Sequence, residues 1–468
     1  MGLFQSLETG KRALLAHQMS LTTIGQNIAN VDTPGYTRQR ARLASTDPLN
    51  TSLGAIGTGV NVVDVRHTRD LFLSAQLRQE AKSLGQWSYR EKILGQVETM
   101  FNEPSDEALR GHLDDFWNSW SQLANAPDSR TSRNDVLAKA NILVNDFHQL
   151  SGQLNTLKAS INDDLAVRVK EVNQYGAEIA DLNRQITRVE LDGSHANDLR
   201  DRRDLLIDRL SPLVDVNVTE DKTGARVYIG AVVIVDGANY YPIATDRKFV
   251  NGAFKSDVVL AGSKSPVKNA NGELFGLLEA RDKVIPTYLD RLDTLARTIA
   301  ERVNSVHVTG YGLRPGGGGP APTGTNFFMT SSVSAASIAI DGGVQNDPSL
   351  IAASQTGEPG DAAIALTISG LRSARVMSGG SLTFGESYAS LVGDVGVDTR
   401  QASNYKDTSS LVSHQLENAR QSVQGVSLDE EMTNLIRSQH AYDAAARIIT
   451  TIDQAFTTVI SGMGVVGR

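Results

Sequence analysis

The strongest constraint on this chain lies near its C-terminal end, from Ser427 to about Met463. Alternating steps of four and three give Leu428, Met432, Leu435, Gln439, Tyr442, Ala446, Ile449, Asp453, Phe456, Ile460 and Met463, interrupted only by Gln439 and Asp453. An apolar repeat of seven residues held this long keeps one narrow stripe facing a partner helix. Ser427 can cap the helix, with Glu430 closing a capping box and Asp429 to Glu431 on the positive end of the helix dipole. Little chain follows, so the partner helix must come from elsewhere.

The first thirty residues offer one. Leu3, Leu7, Gly10, Leu14, His17, Leu21, Ile24, Ile28 and Val31 keep the same rhythm, and the pattern stops at Asp32-Thr33-Pro34-Gly35. Pro34 cannot continue a helix and Gly35 supplies turn freedom. Either stripe alone would suit an ordinary core helix. Two narrow ones at opposite ends point to an end-to-end coiled coil. The expected arrangement is antiparallel, with Leu3 or Leu7 near Ile460 or Met463, and Ile28 near Leu428 or Leu435.

Between the ends the texture changes twice. A polar connector leads to an extended run at Val60 to Val65, and helical spacing then dominates as far as Pro212, broken near residues 102–105 and 126–128. Val214, Val216 and Val218 alternate, and Val227 to Val235 is rich in β-branched residues between turn signals, which reads as an antiparallel β domain. Helix returns from about Glu273. A glycine- and proline-rich loop near 316–319, a helix from Asp361 to about Val376, one from Ser387 to about Ser422 and the terminal helix complete the chain.

The fold class expected is α+β, mainly α: an elongated multidomain rod. It divides into a terminal coiled-coil assembly domain (1–33 with 427–468), a connector (34–67), a discontinuous helical-bundle body with short strands (68–212 with 273–426) and a small antiparallel β insert (213–272). At 468 residues the chain exceeds one core, in line with about two to four domains.

Composition excludes several functions. The net charge of −8 comes without a basic run, so nucleic acid and anionic membrane are poor partners. No apolar run is long enough to enter a membrane as a span. With no cysteine, disulfides, thiolate nucleophiles and cysteine metal sites are all absent. The eight histidines are scattered, and His17 and His307 read as surface or packed residues. The acidic and basic residues from Asp198 to Arg209 alternate in sign and read as exposed pairs. Gly462 to Gly467 fits a dinucleotide fingerprint by letter, yet follows a helix instead of a strand. Nothing recommends an enzyme, a metal or a cofactor.

At Ile24 to Gln39, with Asn30, Pro34, Gly35, Tyr36 and Arg38, the sequence resembles the N-terminal motif of flagellar rod, hook and hook-associated proteins. Gly425 to Met432, with Gln439, Tyr442 and Arg447, is similar to the C-terminal helix of the same proteins. Phe116-Trp117, Asn197-Asp198-Leu199, Asn304 with His307, and Phe327-Phe328 extend the resemblance through the middle. It is nearest to the hook-associated protein 1 family of hook–filament junction proteins.

The resemblance implies a non-enzymatic axial protein, exported through the flagellar type III apparatus and assembling at the distal end of the hook. Implied partners are further copies in a ring-like homo-oligomer, hook protein, the second junction protein, and a cytoplasmic export chaperone on the C-terminal helix. Assembly would use Leu3, Leu7, Leu14, Leu21, Ile24, Ile28, Asn30, Pro34, Gly35 and Tyr36 at one end. At the other it would use Leu428, Met432, Leu435, Tyr442, Ile449, Phe456 and Ile460. The alternatives are a hook or rod subunit, which as a hook protein would be β-rich between its terminal helices, or a cytoplasmic coiled-coil adaptor.

Overall fold

The computed structural model describes residues 3–51, 54–101, 108–221, 224–250, 253–268, 270–315 and 319–463. The helix break expected at 102–105, most of the glycine run and the pattern at 464–467 lie outside the described residues. The helices are α1 (Leu3–Ala29), α2 (Leu71–Phe101), α3 (Leu109–Asn125), α4 (Arg130–Val189), α5 (Asn197–Leu210), α6 (Glu273–Glu279), α7 (Ile285–His307), α8 (Gly342–Asn346), α9 (Ala363–Gly370), α10 (Phe384–Gln424) and α11 (Leu428–Met463). The strands are β1 (Gln39–Ser45), β2 (Leu49–Thr51), β3 (Gly54–Ile56), β4 (Val60–His67), β5 (Val216–Asp221), β6 (Gly224–Ile229), β7 (Val232–Asp236), β8 (Asn239–Tyr240), β9 (Ile243–Val250) and β10 (Ala253–Leu260).

The spine of the body is α4, 60 residues in one helix and so about 90 Å long at 1.5 Å per residue. Ser129 starts it by accepting the Ser132 N–H. Its apolar stripe runs from Val136 through Phe147, Leu154 and Leu165 to Ile186, buried along its length. Such a helix holds in one piece because successive elements cover that stripe: α3, α5, α7 and the β insert all lie against it. At one end an aromatic cluster fills the core, with Trp120 and Phe327 rings 5.3 Å apart and Trp117 stacked on Phe384 at 5.6 Å.

α2 and α10 form an antiparallel pair, shown by Trp87 stacked on Tyr405 and Phe101 against Tyr388. Thr383 and Glu386 close a capping box at the start of α10. A π-helical stretch, Ala280–Val284, joins α6 to α7 where the sequence places Pro286, so the helix direction continues past the proline.

The β insert is a four-stranded antiparallel sheet, β5-β6-β7-β8, beside a β9–β10 hairpin. Fully buried Asn183 of α4 pins it, donating to the carbonyls of Ala225 and Gly237 and accepting the Ala225 N–H. Gly176 lets the Tyr240 ring lie on α4, since a Cβ there would stand 2.6 Å from that ring.

Two expectations need correction. The connector is extended well beyond Val60 to Val65: β1 pairs with β4, β2 with β3, and the resulting hairpin runs back along α1. Its polar alternation, Gln39 to Ser45, hid an edge strand, because only one narrow face meets the helix. The helix expected from Asp361 to Val376 is confined to Ala363–Gly370. The Asp361 carboxylate accepts the N–H groups of Gln355, Thr356 and Ala363, which sets the start at Ala363, and after Gly370 the chain tightens into a 3₁₀ turn, Leu371–Ser373, before an extended Ala374.

Candidate assembly interface

The two ends of the chain meet. Asn27 of α1 bonds Glu431 of α11, Gly10 lies against Ile449, and the Phe4 ring is 4.9 Å from Phe456. As one number falls the other rises in step, so the pair is antiparallel. The register agrees with the expected one at Ile28, which comes opposite Glu431 between Leu428 and Leu435, and departs from it at the other end. Counting from Gly10 opposite Ile449, Leu7 comes opposite Ile452, not Ile460, a shift of about two helical turns.

Burial traces the stripe on α11 through Glu431, Leu435, Ser438, Tyr442, Ala445, Ile449, Ile452 and Phe456. The expected set shares Leu435, Tyr442, Ile449 and Phe456, all partly buried. Leu428 and Met432 are 48% exposed and Ile460 is 69% exposed, so none of the three faces α1. Counted from the shared Leu435, the buried row steps three and then four, whereas the sequence row steps four and then three. A second apolar row had captured half the positions.

On α1, Ile24 is buried, and Leu3, Leu7, Leu14, Leu21 and Ile28 are partly so. Asn30 bonds Thr33 within the turn, while Pro34 and Gly35 are exposed. Gly10, a weak position in the heptad reading, is buried, because a Cβ there would stand 3.0 Å from Ile449 Cγ1. Gly10→Leu is therefore expected to overfill the contact and destabilise the helix pair by about 1–3 kcal/mol. The check is loss of terminal-helix signal in circular dichroism with the body's thermal transition unchanged.

Where the helix pair joins the body, three chain crossings converge on Arg38. Its guanidinium meets Glu430 at 2.8 Å and Glu431 at 2.5 Å, at the start of α11. Its N–H donates to Gln424 O, the last residue of α10, and its carbonyl accepts from Thr68 N, just before α2. Arg38 is 5% and Glu431 2% exposed. Burial opposes the charge on Arg38, but the bonds to the two glutamates outweigh it and hold the group above its ordinary range. The same contact holds Glu430 below the usual carboxylate range. Glu430 thus turns to Arg38, with Arg40 also near, a partnership the capping-box reading did not anticipate.

Around this pin the motif residues lock one another. Asn27 Nδ2 donates to Gln39 O and Glu431, and its Oδ1 accepts from Tyr36 Oη and Gln39 N. Burial, then Asp198, Asp201 and Glu431, pushes the Tyr36 hydroxyl up to about 12, which keeps it a proton donor. Gln39 donates to Asp198 and accepts from Asn197, while Asp201 takes the Thr37 N–H and faces His67. Gly35, at φ +82°, turns the chain so close to Leu205 that a Cβ would stand 3.1 Å from it.

The charged run of α5 is consequently only in part a solvated face: Asp198, Arg202 and Arg209 are exposed, while two of its charges are not. Asp201 is 6% and Arg203 1% exposed, since their partners come from the connector and from Glu220. A cleft of about 700 Å³ lies between the Pro34–Gly35 turn, α5 and the α10–α11 joint. Arg78 and Arg420, both on Asp208, line it and leave its charges paired. Among the described residues no cluster suits a metal ion.

A chain whose two ends form one helix pair, pinned to an elongated helical body, is built as an axial structural subunit. Residues 7–37 match the family described as flagella basal body rod protein, and 420–461 match the flagellar basal body rod FlgEFG protein C-terminal. These place it in the class of flagellar axial proteins. Residues 94–328 match the flagellar hook-associated protein FlgK helical domain. Flagellar hook-associated protein 1 of Bacillus subtilis is 32% identical over 99% of both chains. That of Salmonella typhimurium is 26% identical over 96% of this chain and 98% of its own.

The chain belongs to the flagellar hook-associated protein 1 family, structural proteins of the hook–filament junction. The fold agrees: the flagellar hook junction protein FlgK from Burkholderia pseudomallei superposes with a TM-score of 0.63 over 74% of this chain and 100% of that one, at 17% identity. Helix makes up 64% of the described residues, against the β-rich middle expected of a hook subunit. The family assembles with itself in the flagellum and associates with the hook. No described helix is long and apolar enough to cross a membrane.

Proposed function

We propose that this chain polymerises at the distal end of the hook as a ring-like homo-oligomer and presents the seat for the second junction protein and the filament. The observation that carries this reading is the joint at Arg38, which makes one rigid unit of two chain ends. That unit keeps a second row of apolar side chains outward: Leu428, Met432 and Ile436 are each about half exposed. A row of that kind on a two-helix pair calls for neighbours. Residues 1–33 and 427–468 act as the assembly domain and 34–67 as its connector. Residues 68–212 with 273–426 form the body and 213–272 its β insert.

Before assembly the chain passes unfolded through the flagellar type III export apparatus, with a cytoplasmic chaperone covering the apolar row of the last helix until then. A chain without cysteine refolds outside the cell with no oxidation step. Deleting the gene tests the reading. Electron microscopy is expected to show complete hooks without filaments, with filament subunits accumulating in the medium. Normal filaments on the deletion strain would overturn it.

A further inference from the structure

The β9–β10 hairpin and the α2–α4 groove look like two halves of one contact. Phe249 and Phe254 face each other across the hairpin near its tip, rings 5.2 Å apart, and are 67% and 55% exposed. Arg247 lies over the Phe254 ring at 4.1 Å and makes no ion pair among the described residues. Phe254 is held by its carbonyl, which accepts from Asn162 of α4. Its ring is left outside the core.

The groove, about 970 Å³, is bounded by α2 and by residues 148–160 of α4. Met100 and Leu157 give it an apolar wall. Gly95 and Gly152 leave it open, since a Cβ at either would meet nothing within 4 Å. Gln153 lines it with a buried side-chain oxygen that has no hydrogen-bond partner.

We propose that the groove of one copy receives the Phe249–Phe254 end of the next copy's hairpin, the two rings filling the apolar part and Arg247 reaching the exposed polar side chains of Gln149 and Thr156 on its rim. The proposal rests on the self-assembly reading above and names a lateral contact within it. Three observations favour a second copy as the occupant. The chemistry matches: two exposed rings meet the wall of Met100 and Leu157, and Arg247, without an ion pair among the described residues, meets the amide and hydroxyl side chains of the rim.

The level matches too, because the hairpin meets α4 at Asn162 and the groove runs alongside residues 148–160, its near edge within about one turn of that asparagine. On α4, Asn162 and Asn173, which hold the hairpin, lie roughly 100° around the helix from Gln149, Gly152 and Thr156 in the groove. Different patches at one height make a head-to-tail contact that can close into a ring. The area fits only an array. Two phenyl rings bury roughly 300–500 Å², below the ~800 Å² per partner of a stable complex. The contact forms between copies already held by their terminal helices and leaves the free chain monomeric.

The test uses the full chain in a strain lacking its natural copy. Two singly substituted chains, Phe254→Cys and Gly152→Cys, are produced together; with no other cysteine present, a disulfide-linked dimer must join two copies. Dimers are expected in isolated hook–filament junctions and absent from unassembled chain. Intact filaments without that dimer would overturn the contact and leave the junction function standing. As a second measurement, Phe249→Ser with Phe254→Ser adds no thiol, and several-fold more filament loss under shear is expected. Loss equal to the natural chain would contradict the proposal.

Discussion

Replacing Arg38 with alanine is expected to abolish filament attachment while leaving the body's thermal transition in place. Arg38 compensates Glu431, whose side chain is 2% exposed. Removing one partner of a buried ion pair strands the other charge, at a cost of about 3–5 kcal/mol. The cost falls on the joint, because the body's core lies elsewhere, around α4 and the Trp117–Phe384 cluster. Arg38→Lys should rescue little, since one ammonium cannot make the forked contact to two carboxylates. Arg38→Met combined with Glu431→Gln removes both charges and should recover part of the assembly lost in Arg38→Ala. Motility and calorimetry on the three variants check this. An equal fall of the body transition in all of them would mean that the joint belongs to the main core.

Acid should loosen the body through His307. This residue is 1% exposed; its Nε2 accepts the Ala352 N–H at 2.8 Å and its Nδ1 faces the Thr325 carbonyl at 2.7 Å. A proton on Nε2 would point at another N–H. Burial pulls the folded pKa down to about 4, with Thr325 and Asp341 pulling weakly the other way. The unfolded chain therefore takes up a proton near 6.5, where the folded one does not. Stability from this group is complete above about pH 6.5 and falls as pH drops towards 4, by roughly 3 kcal/mol in all. Melting curves across that window should show the loss, and His307→Gln should flatten it. An unchanged slope in that variant would assign the acid sensitivity to other groups.

Much of the plan was legible because periodicity is a local signal. The long apolar stripe of α4, the alternating valines of the β insert and the matched terminal helices each follow from a repeat that a few neighbouring residues define. The joint was not legible in that way. Arg38 and Glu431 are separated by most of the chain, and each alone reads as an ordinary surface charge. Asp201 and Arg203 were misread for the same reason, since alternating charges on a short helix normally face water. The resemblance pointed to Asn27, Tyr36 and Arg38 as a motif without saying what they touch. Register was lost differently. With two apolar rows on α11, one facing α1 and one outward, spacing cannot say which row the partner covers.

The central claim is that the two ends of the chain form one antiparallel pair in the register pinned by Asn27 on Glu431. Paired cysteines test it in a chain that has none, within the ~4.4–6.8 Å Cα separation a disulfide accepts. Leu7→Cys with Ile452→Cys should crosslink efficiently in assembled hook ends, and Leu7→Cys with Ile460→Cys hardly at all. Preferential crosslinking to position 460, or to 435, would contradict the account: the first would slide the pair by two turns and break the joint, and the second would make the helices parallel.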